Sequence, residues 1–381
     1  MAQTPDQIVS LIQSIETISK NVHTQSLDLS FNEILDMRKN NELDITPDFQ
    51  RLFRWTEGAR SRFIESLLLE MPVPPIYVVE VDDGRYLLID GLQRISSYLH
   101  LRGHLEADHL DNPVKLGDML VLTDCDIVKE LNGKTFDDLG TALQIRLKRA
   151  FVRVEVVRKG SDPHFKYHMF KRLNTGGEVL SPQQIRNCTI RLLNPQFIDF
   201  IKELSQEGIF KQCTEYLTYE QKMASFDQEL VLRFFALKNN REEFKHDVGD
   251  FLTDYMEAIS EPDDTSFNYD EEKTNFLKTF TVLYKTLGEF SFGYANKKRE
   301  GELTKAFGIY HFESFTIGLQ KRINQMQPED DAQMESLKNI LIAIKHDADF
   351  IAMTTGGGKN SKGLLISRIG FVEEKVENLF I

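Results

Sequence analysis

Cysteine is scarce in this chain. Its three, Cys125, Cys188 and Cys213, lie far apart and build neither a disulfide framework nor a paired zinc spacing. No apolar run approaches the roughly 18 residues of a membrane-crossing helix. The opening MAQTPDQIVSLIQSIE has no basic region ahead of an apolar core, as a secretory signal would. A cytoplasmic protein without membrane contact is the expectation. Positive charge is in deficit: 46 Lys and Arg against 59 Asp and Glu leave a net charge of -13, so the surface as a whole repels nucleic-acid phosphate. What is present, 41% hydrophobic and 28% charged residues, is the composition of a globular protein. At 381 residues the chain exceeds one ordinary core, and two domains are expected.

Periodicity separates the two. PPIYVVEV, GRYLLID and FVRVEVV read as strands, the last with Val152, Val154 and Val156 on one face and Phe151, Arg153 and Glu155 on the other. TEGARSRFIESLLLEM reads as a helix capped by Thr56, with Phe63, Leu67 and Met71 on one side, and FKYHMFKRLN as a helix ending at an Asn-Thr-Gly-Gly turn. Strands interleaved with helices make residues 1–190 an α+β domain. From Pro182 onward seven stretches, the first SPQQIRNCTIRLLN and the last DAQMESLKNILIAIKHDADFIAM, carry apolar residues at helical spacing. Residues 191–381 are therefore expected to form an all-α domain of six or seven helices, with the acidic EPDDTSFNYDEE as a solvated loop.

Several familiar motifs fail. TTGGGKNSKG lacks the glycine spacing and the Ser/Thr after lysine that a P-loop needs, and it follows a helix instead of a strand. His164 and His168 stand four apart without a third metal ligand. Arg94 precedes His100, and Arg241 precedes His246, at a spacing that some ribonuclease helices use but that arises readily by chance. The densest cationic stretch, from Arg146 to Lys159, reads either as a half-buried strand with solvated charges or as a rim that contacts DNA.

Three other stretches gain weight together. ITPDFQRLFRW contributes Gln50, Arg51 and Trp55; IDGLQRISSY contributes Asp90, Gly91, Gln93 and Arg94; FKRLNTGGEVLSPQQIRN contributes Lys171, Arg172, Asn174, Thr175, Gly176 and Gly177. Each sets fork-shaped donors or glycines at an element boundary. A guanidinium donates two hydrogen bonds at once to phosphate, and glycines let backbone N–H groups approach an anion. Ordinary turn chemistry, with Asp90 capping the following helix, accounts for any one of them alone.

DFQRLFRW, LIDGLQRISS and FKRLNTGGEVLSPQQIRN, in this order, resemble the domain of unknown function 262 family, the N-terminal domain of GmrSD-type modification-dependent restriction enzymes. The resemblance covers about the first half of the chain. It implies a ParB/sulfiredoxin-like fold that binds, and often hydrolyses, a nucleoside triphosphate (ATP, GTP or CTP) with Mg²⁺ in defence against foreign DNA. The family usually reads DGQQR; here Leu92 stands at one polar position, so it is no ligand, while Gln93 and Arg94 keep the pattern. Carried over residue by residue, the resemblance implies that Gln93 and Arg94 meet phosphate and Arg51 closes from the other side. Asp90 caps the helix or holds Mg²⁺, and Asp90, Gln93 and Arg94 form the catalytic group. Lys171 and Asn174 complete the triphosphate end, with Gln50, Gly91, Thr175, Gly176 and Gly177 completing the pocket. Larger relatives carry a C-terminal His-Asn-His nuclease domain; the helical half shows no such cluster, so any cutting is expected from a partner nuclease or effector chain. Self-association into a homo-oligomer stays open. So do two rivals, a module that senses DNA or a modified base without hydrolysis and a scaffold or antitoxin-like partner protein.

Overall fold

In the computed structural model the chain divides into two compact units, Met1–Val179 and Leu180–Ile381. The structure describes residues 12–13, 15–16, 20–45, 53, 55–81, 84–108, 110, 112–161, 169, 172, 181–191, 193–245, 247–261, 266–296, 299, 301–356 and 358–380.

The first unit is a mixed α+β domain. In chain order its described elements are β1 (Thr24–Ser30), α1 (Phe31–Lys39), β2 (Leu43–Asp44), α2 (Glu57–Leu68), β3 (Ile76–Glu80), β4 (Tyr86–Asp90), α3 (Leu92–Leu101), α4 (Gly140–Arg149) and β5 (Phe151–Val157). The strands form one sheet in the order β1-β5-β3-β4-β2. β1 and β5 are antiparallel, β5 and β3 parallel, β3 and β4 antiparallel, β4 and β2 parallel. The alternation in β5 puts Val152, Val154 and Val156 in the core and leaves Phe151 and Arg153 exposed, because successive side chains of a strand face opposite sides.

The helix starts are chemical. The Ser30 hydroxyl accepts from the Glu33 N–H at 3.0 Å, and Thr56 accepts from the Ala59 N–H at 3.3 Å, each taking up a donor that the first turn leaves unpaired. Phe63 and Leu67 face inward from α2 as their spacing requires, but Met71 does not. The helix ends at Leu68, Glu70 turns to φ +56°, and Met71 is 40% exposed.

The second unit is predominantly helical. Its described helices are α5 (Pro182–Ile190), α6 (Pro195–Gln206), α7 (Gly208–Cys213), α8 (Tyr219–Met223), α9 (Phe226–Asn240), α10 (Val248–Ile259), α11 (Tyr269–Leu287), α12 (Ile309–Gly318), α13 (Asp331–His346), α14 (Ala348–Thr354) and α15 (Lys362–Glu377). That is more than the six or seven expected. α7, α8 and α14 are too short to show a period, α14 is cut from α13 at the capping residue Asp347, and α15 follows the glycine-rich stretch. Ser181 and Gln184 make a reciprocal capping box with Pro182 at the first helical position. Nor is EPDDTSFNYDEE all solvated: Glu272 is buried and accepts from Lys238 Nζ at 2.9 Å. The core is phenylalanine-rich, with Phe234, Phe235, Phe276 and Phe280 fully buried and Phe234 packed edge to face on Phe235 and Phe276.

Candidate functional site

β4 brings Leu88 and Ile89 into the core and stops at Asp90, whose backbone is in register with Tyr77 of β3. Gly91 makes the corner at φ +112°. A Cβ there would come within 2.7 Å of Ile76 Cγ1, so both the left-handed backbone and the close approach call for glycine. α3 begins at once. Among the described residues no side chain caps it, and the residue at the cap position is Gly91 itself. Asp90 is therefore not the cap that turn chemistry would make it.

Asp90 turns to Arg94 instead. Its Oδ2 accepts from Arg94 Nη2 at 2.7 Å, one helical turn on, and the same Nη2 donates to the Pro75 carbonyl at 3.2 Å. Arg94 is nearly covered, its side chain 13% exposed, while that of Asp90 is 41% exposed. The buried Arg94 Nε has no hydrogen-bond partner among the described residues. The result is a guanidinium held against the sheet with its carboxylate outermost, at an uncapped helix start.

Gln93 ties a second motif to this corner. Its Oε1 accepts from the backbone N–H of Trp55 at 3.1 Å, and Arg60 Nε donates to the Trp55 carbonyl at 2.8 Å. The Trp55 ring lies edge to face on Phe63 at 5.9 Å. Trp55 thus reaches α3 through its backbone and packs through its ring. Gln50 and Arg51, just upstream, and Lys171, Asn174, Thr175, Gly176 and Gly177 lie outside the described residues, as do His164, His168 and His246.

Beneath the corner is a pair that sequence reading missed. Arg60 Nη1 and His100 Nδ1 are 3.0 Å apart in the interior, and the Arg60 guanidinium lies over the Phe53 ring at 4.7 Å. Burial, then repulsion by Arg60, pushes His100 down to about 4, so at neutral pH the imidazole is uncharged and accepts from Arg60. The partners are 40 residues apart, and no local pattern announces them. Arg94 and His100 do not converge, since one binds Asp90 and the other Arg60.

In the cationic stretch from Arg146 to Lys159 three of the six cations are matched by acids. Arg146 pairs with Glu70 at 3.0 Å, Arg153 with Asp28 at 3.1 Å and Arg158 with Glu80 at 2.9 Å. Among the described residues no three His, Cys, Asp or Glu side chains gather to hold a metal, and no helix is long and apolar enough to cross a membrane.

A mixed sheet with an Asp-Gly corner feeding an uncapped helix defines an α+β domain whose polar groups collect at one strand end. Residues 31–191 match the family described as GmrSD restriction endonuclease, N-terminal domain. The match spans the three motifs DFQRLFRW, LIDGLQRISS and FKRLNTGGEVLSPQQIRN, so the N-terminal region is similar to that domain. No curated protein and no solved structure matches the chain.

Proposed function

We propose that the N-terminal unit binds a nucleoside triphosphate with Mg²⁺ at the Asp90–Arg94 corner and hydrolyses it as the nucleotide-dependent part of a restriction-type defence system. Cleavage of DNA is then the task of a partner chain. The observation that carries this reading is the Asp90–Arg94 ion pair at a helix start without a side-chain cap. Free N–H groups and the helix dipole favour an anion at that end. Arg94 is braced by the Pro75 carbonyl, so its fork is positioned before ligand arrives. Arg94 would hold a phosphate oxygen in place of the Asp90 carboxylate, and Asp90, the more exposed partner, would hold the metal.

In this reading Gln93 keeps Trp55 against the first turn of α3. Asp90 would be the residue that holds Mg²⁺, which would supply charge neutralisation at the phosphates. Phosphoryl transfer asks mainly for positioning and charge neutralisation, which such a constellation provides without a strong general base. Titration with ATP, GTP, CTP and UTP plus Mg²⁺, following binding and phosphate release together, tests it. Turnover of one nucleotide, lost in Asp90→Asn, is the expected result. Binding without turnover makes the domain a switch, and silence toward all four removes the proposal.

A further inference from the structure

α3 has a second working face. Ser96 lies two residues past Arg94, which on a helix turns it to nearly the opposite side. There it opens onto a cavity of about 340 Å³, within the range of small-molecule pockets, about 300–1,000 Å³. Leu35, Ile45 and Leu99, all buried, make an apolar floor. Set into that floor, Ser96 is 1% exposed and lines the cavity.

The rim is cationic. Arg38 and Lys39 stand in the last turn of α1, and neither has an ion-pair partner among the described residues, in contrast to Arg146, Arg153 and Arg158. Glu106 shares the rim. Burial, then Lys39 and Arg102, pushes His104 below its ordinary range, so it adds no charge near pH 7. The rim therefore carries one net positive charge.

We propose that this cavity binds a small organic anion with an apolar body, its acid group on Arg38 and Lys39 and its apolar part over Leu35 and Leu99. Ser96, Asn41 and His104 are the polar, uncharged side chains of the wall that can hydrogen-bond it. The site is separate from the Asp90–Arg94 corner and does not depend on it.

The test uses the full chain and two fluorescent probes of similar shape, anilinonaphthalene sulfonate and the uncharged N-phenyl-1-naphthylamine. The sulfonate should bind at one saturable site, and Arg38→Gln with Lys39→Gln should weaken it tenfold or more while leaving the uncharged probe unchanged. Ser96→Leu, which fills the cavity, should remove both, and a second filling variant, Leu99→Phe, covers the case in which Ser96→Leu fails to fold. Nucleotide binding should be the same in the Arg38/Lys39 variant as in the parent. No saturable sulfonate binding, or binding that survives both the charge and the filling substitutions, would overturn the site.

Discussion

Arg94 is the residue on which the nucleotide proposal turns. Arg94→Ala should lower nucleotide affinity about ten- to a hundred-fold, the worth of one charge-assisted phosphate contact at roughly 1.5–3 kcal/mol. Arg94→Lys should recover only part of it, because an ammonium cannot reproduce the fork. Calorimetric titration of folded variants checks both, and an unchanged affinity would reject the corner as the site. His100 gives a second prediction, about pH. Its folded value is about 4 against 6.5 for an ordinary histidine. Between those values the unfolded chain holds more protons than the folded one, so stability is full above about pH 6.5, falls as the pH drops toward 4, and levels off below. The total is on the order of 3 kcal/mol. Proton NMR of the His100 ring should show no titration between pH 5.5 and 7.5, and His100→Gln should flatten the pH dependence of unfolding. A midpoint near 6.5 would place the imidazole in a solvated site.

Among elements, α5, α9, α12 and α15 are joined by buried charge. Arg186 and Arg233 share Glu229, and Arg233 and Arg368 share Glu313, with Arg233 Nη1 to Glu313 Oε1 at 2.6 Å. Three guanidiniums face two carboxylates, so each carboxylate is indispensable to its neighbours. Glu313→Gln should destabilise the helical unit by about 3–5 kcal/mol, because it strands a charge in a dry interior. Arg153→Ala removes an exposed pair with Asp28 and should leave the unfolding midpoint almost where it was. Denaturant unfolding of the two variants side by side measures the contrast. A mild Glu313→Gln would mean that water reaches the network.

At the scale of the molecule, each compact unit has its own core, the sheet with its helices in one and the phenylalanine cluster in the other. Scanning calorimetry should therefore resolve two unfolding transitions. Nucleotide at a hundred times its dissociation constant should raise the one belonging to the N-terminal unit, by about 2.7 kcal/mol of added stability. Arg94→Ala should abolish that shift, and Glu313→Gln should lower only the other transition. A nucleotide effect on the helical transition alone would move the site out of the first unit.

The helices and strands were legible where the period was long or the punctuation strong. Thr56 and Ser181 announce their helices through cap chemistry, and FVRVEVV announces β5 through strict alternation, because these are interactions between neighbours in the chain. The family resemblance was legible for a related reason, since its three motifs are contiguous strings, and Asp90-Gly91 with Gln93 and Arg94 could be picked out before any fold was known. Partnership was not legible. That Arg94 takes Asp90 and Pro75, that His100 takes Arg60 and not Arg94, and that Ser96 faces a cavity rimmed by Arg38 and Lys39 depend on which elements pack together. The same holds for Arg146, Arg153 and Arg158, whose acids come from three distant positions. Local pattern records what a residue does to its own helix or strand; the packing of the sheet and helices decides which charges meet, and so which are neutralised and which stay open to a ligand.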